Sequence, residues 1–407
     1  MHTRLKNKLT AILIILSFFI MAAVSVSAIF ALTQQNVETE VDFDYQAPTL
    51  DALTFTVNSY ADNVVISKCD NTKLASTNGE LIIPSTYEDK PIVSVSDSAF
   101  KSCTNLKSII FKEGITSIGA RAFSSCNALT SVVLPNTLKT IGEEAFWSCS
   151  KLTSLEIPKS VTSLGAGSFS LCGYLKNLTV EEGNEKYYSI NNCVIEKSTK
   201  TLIECINVQN IPTDGSVLVL GKWSLAYHYE DTITIPDSVT TIKTQAFYGS
   251  WLKKISIPAN LVSMEGNPFS ACTKVTQITC NANNKVYKSV NNCLIEISSK
   301  TVVVGCKNSV IPTDSASVVR IGDDAFNNCD EMTSVVIPSN ITMIGKYAFS
   351  YSDKLTSVTF VTTSNWFIAS SESATSGTTL SSADLSNTST AATYLTTTYI
   401  NKYWKRV

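Results

Sequence analysis

A chain of 407 residues with 32 Lys+Arg against 34 Asp+Glu, a formal net charge of −2 and no basic cluster makes a poor partner for nucleic acid or an anionic membrane surface. Charged residues are only 16% of the chain while Ser and Thr are plentiful, as on a secreted β-rich surface that carries hydroxyls in place of charges. Its two histidines leave little room for imidazole chemistry.

At the start, Arg4, Lys6 and Lys8 precede an apolar run from Leu9 to about Val24, and Val26-Ser27-Ala28 is the expected cleavage site, with Ala31 as a second choice. Residues 1–28 read as a secretory signal peptide. The competing reading is an uncleaved anchor, for which the run is somewhat short against the roughly 20 residues of a spanning helix. Cleavage leaves 29 Lys+Arg against 34 Asp+Glu, a net charge of −5. No Leu-Pro-x-Thr-Gly sorting signal follows and the first cysteine is Cys69, so the mature chain is expected to be released or held at the surface without a covalent anchor. Residues 29–48 are acidic and irregular, a flexible N-terminal segment. Residues 49–91 alternate at Phe55-Thr56-Val57 and at Asn63-Val64-Val65-Ile66, predicting a hairpin and an incomplete first unit that cap the body behind them.

From residue 92 one sentence repeats. Phe100, Phe123, Phe146 and Phe169 stand 23 residues apart, each followed three residues later by a cysteine: Cys103, Cys126, Cys149 and Cys172. A period in the low twenties means a solenoid whose units bury their apolar sides only by stacking. In one unit, Ile118 points inward before Gly119, where the chain is expected to turn with positive φ. Ala122 and Phe123 then begin a short helical or 3₁₀ turn, Cys126 and Leu129 continue the interior, and residues 129–134 alternate as a strand that Pro135 ends. The phenylalanine position recurs at Leu225, Phe247, Phe269, Phe326 and Phe349, nine units of 22–23 residues in all. The fold class is therefore a β-rich α/β-solenoid with one continuous core over residues 92–360.

Two gaps interrupt the register, between Phe169 and Leu225 and between Phe269 and Phe326. Each holds a related insertion, at about 181–211 and 281–311: Tyr188-Ser189-Ile190-Asn191-Asn192-Cys193 returns as Lys288-Ser289-Val290-Asn291-Asn292-Cys293. Each is predicted to be a β-hairpin turning near 196–201 or 296–301. Beyond Phe360 the chain turns Ser/Thr-rich. Residues 361–398 have the composition of a flexible stalk, and Tyr394, Tyr399, Tyr403 and Trp404 suggest a chain that returns to cap the last repeat.

Of the twelve cysteines, Cys103, Cys126, Cys149, Cys172, Cys272 and Cys329 hold the repeat position and should form an inward ladder of small buried thiols. Cys193/Cys205 and Cys293/Cys306 could bridge within their insertions if their Cα atoms fall within roughly 7 Å.

The recurring Ile-Gly-x-x-Ala-Phe-x-x-Cys-x-x-Leu-x-x-Val-x-Leu-Pro, clearest over residues 118–135 and 141–158, resembles the BspA-type leucine-rich repeats. The resemblance covers about residues 92–360. It implies a right-handed solenoid with a parallel sheet on one side, found in secreted and surface proteins of gut and oral bacteria and of some protozoa. For some members it also implies adhesion to host matrix proteins or cells. It supplies no catalytic residue.

Nor do the residues assemble one. His228 is the one histidine of the mature chain, in a degenerate repeat; there is no Cys-x-x-Cys, so no metal site or cofactor is expected. Paired carboxylates of a polysaccharide-cleaving solenoid would have to converge on one face, and among the outward strand positions only Glu156 is acidic. Aromatic residues concentrate instead at Trp223, Tyr227, Tyr229, Tyr248 and Trp251, with Tyr187, Tyr188 and Tyr287 on the insertions. They either patch the irregular unit in which Leu225 replaces Phe or form a patch that binds an extracellular protein or glycan. The leading expectation is a secreted or cell-surface, non-enzymatic binding protein that mediates protein interaction or adhesion. The rivals are a carbohydrate-binding or carbohydrate-active surface protein and a structural envelope component.

Overall fold

A 23-residue period returns each apolar side chain to the same place one turn later, and the backbone follows with two short strands per turn. The longer ones stack in parallel, Glu80–Ile83 on Ser108–Phe111 on Ser131–Val133, with Ile109 opposite Val132. A second parallel ladder runs through the two-residue strands before each Ile-Gly: Ser117–Ile118, Thr140–Ile141 and Ser163–Leu164. The sequence announced only the first of these. These strands belong to a computed structural model that describes residues 50–407 apart from 59–60, 76–77, 207–208 and 210, all within the unit Pro48–Val407. The expected signal peptide (1–28) and acidic segment (29–48) lie outside the described residues.

Between the ladders the chain turns around the phenylalanine. The rings of Phe100, Phe123, Phe146 and Phe169 stack nearly parallel with centroids 4.7, 5.1 and 5.8 Å apart, all buried. Burying each such side chain is worth about 1.5–3 kcal/mol. The turn is not a helix. Residues two before and two after the phenylalanine, such as Arg121 (φ 56°) and Ser125 (φ 63°), are left-handed and stop helical propagation. Gly119 does not take the positive φ expected of it. It is glycine because a Cβ there would lie 2.5 Å from the Asp97 amide nitrogen of the turn before.

Cysteines at the ladder position do more than fill space. Sγ of Cys126, Cys149, Cys172 and Cys272 donates to the carbonyl of the phenylalanine one turn back, at 3.0–3.2 Å. Ser250 and Ser352 replace cysteine with the same bond, to Leu225 and Phe326. The position thus calls for a side chain with a donor, which adds a second bond to a phenylalanine carbonyl that already accepts the backbone amide three residues on, as Phe100 accepts that of Cys103 at 3.0 Å. Burial pushes the Cys272 thiol up to about 12.

Each insertion contains the expected hairpin, turning at 196–201 or 296–301, and adds a strand before it to make a three-stranded meander. Tyr187–Ile190, Cys193–Glu196 and Thr201–Cys205 pair antiparallel in sequence, as do Tyr287–Val290, Cys293–Glu296 and Thr301–Val304. The first turn is Asn191-Asn192 or Asn291-Asn292, all left-handed, as a two-residue type I′ turn requires. The third strand then joins the short ladder in parallel, Thr201–Cys205 against Val219–Leu220. Each insertion therefore adds a turn that the phenylalanine count skips, and the solenoid has about 11 turns, not nine.

The middle strand of each meander is buried on both faces and divides the interior. Val194 packs into the stack before it, whereas Cys193 and Ile195 pack into the stack after it; Leu294 against Cys293 and Ile295 repeats the division. The core is accordingly three clusters in series and not one continuous core.

Both ends of the repeat array are covered. Leu53–Asn58 and Asn63–Cys69 form the expected hairpin, and the second strand pairs in parallel with Lys90–Val95. At the other end the Ser/Thr-rich segment is folded and not a stalk. It contains the strand Trp366–Ala369 and the short helices Ser382–Ser386 and Thr388–Thr393, whose N-caps Ser381 and Asn387 bond the first-turn amides. Tyr403–Arg406 returns to pair antiparallel with Met343–Ile344, and Trp404 stacks on Phe360 at 5.9 Å.

Candidate functional site

The aromatic residues singled out in the sequence separate into three groups. Tyr187 (3% exposed) and Tyr287 (4%) are buried and do not belong to a surface patch. Their hydroxyls accept from the backbone amides of Leu164 and Met264, the last residues of the short ladders where each insertion interrupts them. Tyr188 packs half-buried against the second core cluster.

Trp223, Tyr227 and Tyr248 do meet, and Trp147, which the sequence reading passed over, joins them. Ring centroids are 6.3 Å apart for Trp147 and Tyr227, 5.6 Å for Tyr227 and Tyr248, and 6.5 Å for Trp223 and Tyr248. They lie on the face made by the phenylalanine turns, at the seam where the first insertion separates the Phe169 turn from the Leu225 turn. Trp223 lies over Gly167, where a Cβ would come within 2.9 Å of its ring, and the Lys222 ammonium bonds Glu143 at 3.0 Å across the same seam. Burial pushes the Tyr227 hydroxyl up to about 12, and the buried indole N–H groups of Trp147 and Trp223 have no hydrogen-bond partner among the described residues.

Tyr229 (62% exposed) and Trp251 (52%) form a separate edge-to-face pair at 5.1 Å, well open to solvent. Both sit in the turn between the ladder cysteine position and the following strand. No sequence signal separated this pair from the seam cluster, because all five aromatics fall within 29 residues (223–251) and only the turn phase assigns each to its face.

The second seam, between the Phe269 and Phe326 turns, is polar. The Asn267 amide donates to the Asp324 carbonyl at 2.9 Å, Ser270 Oγ donates to Asn327 Oδ1 at 3.3 Å, and Asn327 Nδ2 donates to Asp324 Oδ1 at 2.9 Å. These residues floor an open cleft of about 480 Å³. Sequence reasoning missed it, since it depends on turns 57 residues apart being neighbours.

His228 occupies the ladder-cysteine position of its turn. Its ring bonds the Cys205 backbone one turn back, as the thiols bond theirs, and desolvation holds it below its usual pKa and neutral, although the Glu230 carboxylate lies 3.7 Å from Nδ1. Glu204 (3% exposed) is a buried carboxylic acid; it accepts the Phe169 amide at 3.4 Å. Among the described residues no group of three or more His, Cys, Asp or Glu could hold a metal ion, and no helix is long and apolar enough to cross a membrane.

The sequence profile of the BspA type leucine rich repeat region matches this chain in six copies, over residues 93–201, 198–318 and 303–396. Among solved structures the chain is similar to a leucine rich cell surface protein from Faecalibacterium prausnitzii A2-165, 26% identical over 76% of this chain and 75% of that one, with a TM-score of 0.41. A leucine-rich repeat protein from Eubacterium ventriosum ATCC 27560 is 20% identical over 74% of this chain and 92% of its own (TM-score 0.48). The pneumococcal vaccine antigen PcpA is 22% identical over 70% and 63% (TM-score 0.38). No curated protein matches it.

Proposed function

The chain belongs to the BspA-type leucine-rich repeat family, and from that premise we propose that it is an extracellular, non-enzymatic binding protein that engages a protein partner through its surface aromatics. The observation that carries this reading is the Tyr229–Trp251 pair. Two large rings in edge-to-face contact are held open to solvent on a rigid scaffold, and Trp and Tyr are the residues that most often dominate protein interfaces. Export follows from the basic, apolar and small-residue order of residues 1–28. The cluster at the first seam belongs to the packing of the scaffold and not to the contact surface, because its rings lie on Gly167 and on one another.

The test is a binding screen of residues 29–407 against immobilised extracellular matrix proteins, repeated with the double variant Tyr229→Ala, Trp251→Ala. A saturable hit should lose about thirtyfold or more in affinity, the equivalent of about 2 kcal/mol for a hot spot. Both side chains are exposed, so the variant should keep its fold. A silent screen, or a double variant that binds like the parent, would sink the proposal.

A further inference from the structure

The two insertions create two seams of the same construction, and the seams differ in what fills them. Counting from the phenylalanine of each turn, Asn267 occupies the place of Gly167, Tyr248 that of Trp147, Asp324 that of Trp223 and Asn328 that of Tyr227. In the first seam the Trp223 and Tyr227 rings close the space between the turns. In the second, Asp324 and Asn328 are too short to do so, and the space stands open as the cleft of about 480 Å³. That volume lies within the range of about 300–1,000 Å³ typical of small-molecule sites.

The lining has a definite chemistry. Tyr248 borders the cleft from one side of the seam, and Tyr351, 68% exposed, borders it from the other. Asn267 and Asn327 are fixed by their bonds to Asp324 and Ser350, and Asn328 Nδ2 bonds Asn327 Oδ1, so the floor is pre-organised. The Gln245 amide and the hydroxyls of Tyr248 and Tyr351 make no hydrogen bond with the described residues and remain available to a ligand. No cation lines the cleft and one half-buried carboxylate does, which disfavours anions. Aromatic faces beside planar amides and a carboxylate suit a ligand with apolar C–H faces and many uncharged hydroxyls.

We propose that the second seam is a saccharide-binding site that takes an uncharged pyranose, with a ring face against Tyr351 and its hydroxyls on Asp324, Gln245, Tyr248 and the asparagine amides. The site is independent of the Tyr229–Trp251 pair, and each can fail without the other. The first seam is the same site closed by its own side chains.

The test is calorimetric titration of residues 29–407 with free glucose, galactose, mannose and N-acetylglucosamine and with lactose, maltose, cellobiose and chitobiose. At least one sugar should bind saturably. The double substitution Asn267→Gly, Asp324→Trp, which copies the plug of the first seam together with the glycine it lies on, should abolish binding with an unchanged circular dichroism spectrum. The backbone already accommodates it, since Asp324 (φ 54°) and Trp223 (φ 59°) share the left-handed conformation. Tyr351→Ala, at an exposed site where folding is not at stake, should weaken binding at least tenfold. No binding by any sugar of the panel, or binding that survives either substitution undiminished, overturns the proposal.

Discussion

Why one turn carries Leu225 where eight carry phenylalanine is decided by a neighbour that the sequence does not mark. The turn before it places Cys205 at the phenylalanine position, its amide bonded to the Ser224 carbonyl, and that cysteine is disulfide-bonded to Cys193. In the second insertion the same position is Gly305, and the Phe326 ring fills the room a side chain would take: a Cβ would lie 2.0 Å from Cε1. A bulky partner is followed by leucine and a vacant one by phenylalanine, so Leu225 compensates for a local volume. Glu204, next to Cys205, is the other exception in this turn, standing where the second copy has Val304. Desolvation raises its pKa to about 8 against an ordinary value of 4.5. Below 4.5 both the folded and unfolded carboxyl are protonated. Between 4.5 and 8 only the unfolded chain releases the proton, so stability falls as pH rises, by up to about 1.4 kcal/mol per pH unit from this group. Above 8 the contribution is flat. Urea midpoints of the parent and Glu204→Gln, compared at pH 5, 6.5 and 8, should diverge, the parent losing more stability than the variant with rising pH. Equal pH dependence in the two would show that Glu204 ionises freely in the fold.

At the scale of elements, the regular turns were legible because every turn repeats the same physical demand, and the departures were not, because each is met once. The Asn191-Asn192 pair is a type I′ turn signal whose consequence, a third strand, follows only once both flanks are seen to pair. The helices of the Ser/Thr-rich segment are hidden by a linker-like composition and marked in sequence only by their caps at Ser381 and Asn387. The cysteines of the two insertions differ by one residue in spacing, 12 in the first and 13 in the second, and the strand register that the two copies share makes that residue decisive. Cys193 pairs directly with Cys205 at a Cα separation of 4.0 Å, whereas Leu294 pairs with Val304, which brings Gly305 opposite Cys293 and carries Cys306 one residue past. Alkylation of the denatured, unreduced protein followed by mass spectrometry should therefore label ten cysteines, Cys293 and Cys306 among them, and spare Cys193 and Cys205. Replacing Cys205 with serine should cost about 3 kcal/mol, the loop-closure contribution of a link spanning about 15 residues or slightly fewer. Eight labelled cysteines would instead mean that the second insertion bridges as well and that its register differs from the one described.

The candidate sites became visible only in the whole molecule, since the open cleft and the seam cluster each join turns on either side of an insertion. The same insertions divide the core into three stacks, and in a solenoid each unit is stabilised chiefly by its neighbours. Damage at one end should therefore travel to the nearest partition and be resisted there, because the middle strand of each meander packs into both adjoining stacks. Trp404 is buried in the last stack, where it faces Phe360 and Tyr399 and its strand pairs with Met343–Ile344. Trp404→Ala should cost about 3–5 kcal/mol, as large aromatic deletions do. Hydrogen exchange read by mass spectrometry should then show faster exchange for amides of the third stack, such as those of Phe349 and Val358, and unchanged protection around Phe123 and Phe146. The second stack should respond weakly, through Leu294 and the strand that carries it. Uniform acceleration along the chain would mean that the three stacks unfold as one unit and that the meanders transmit strain instead of containing it.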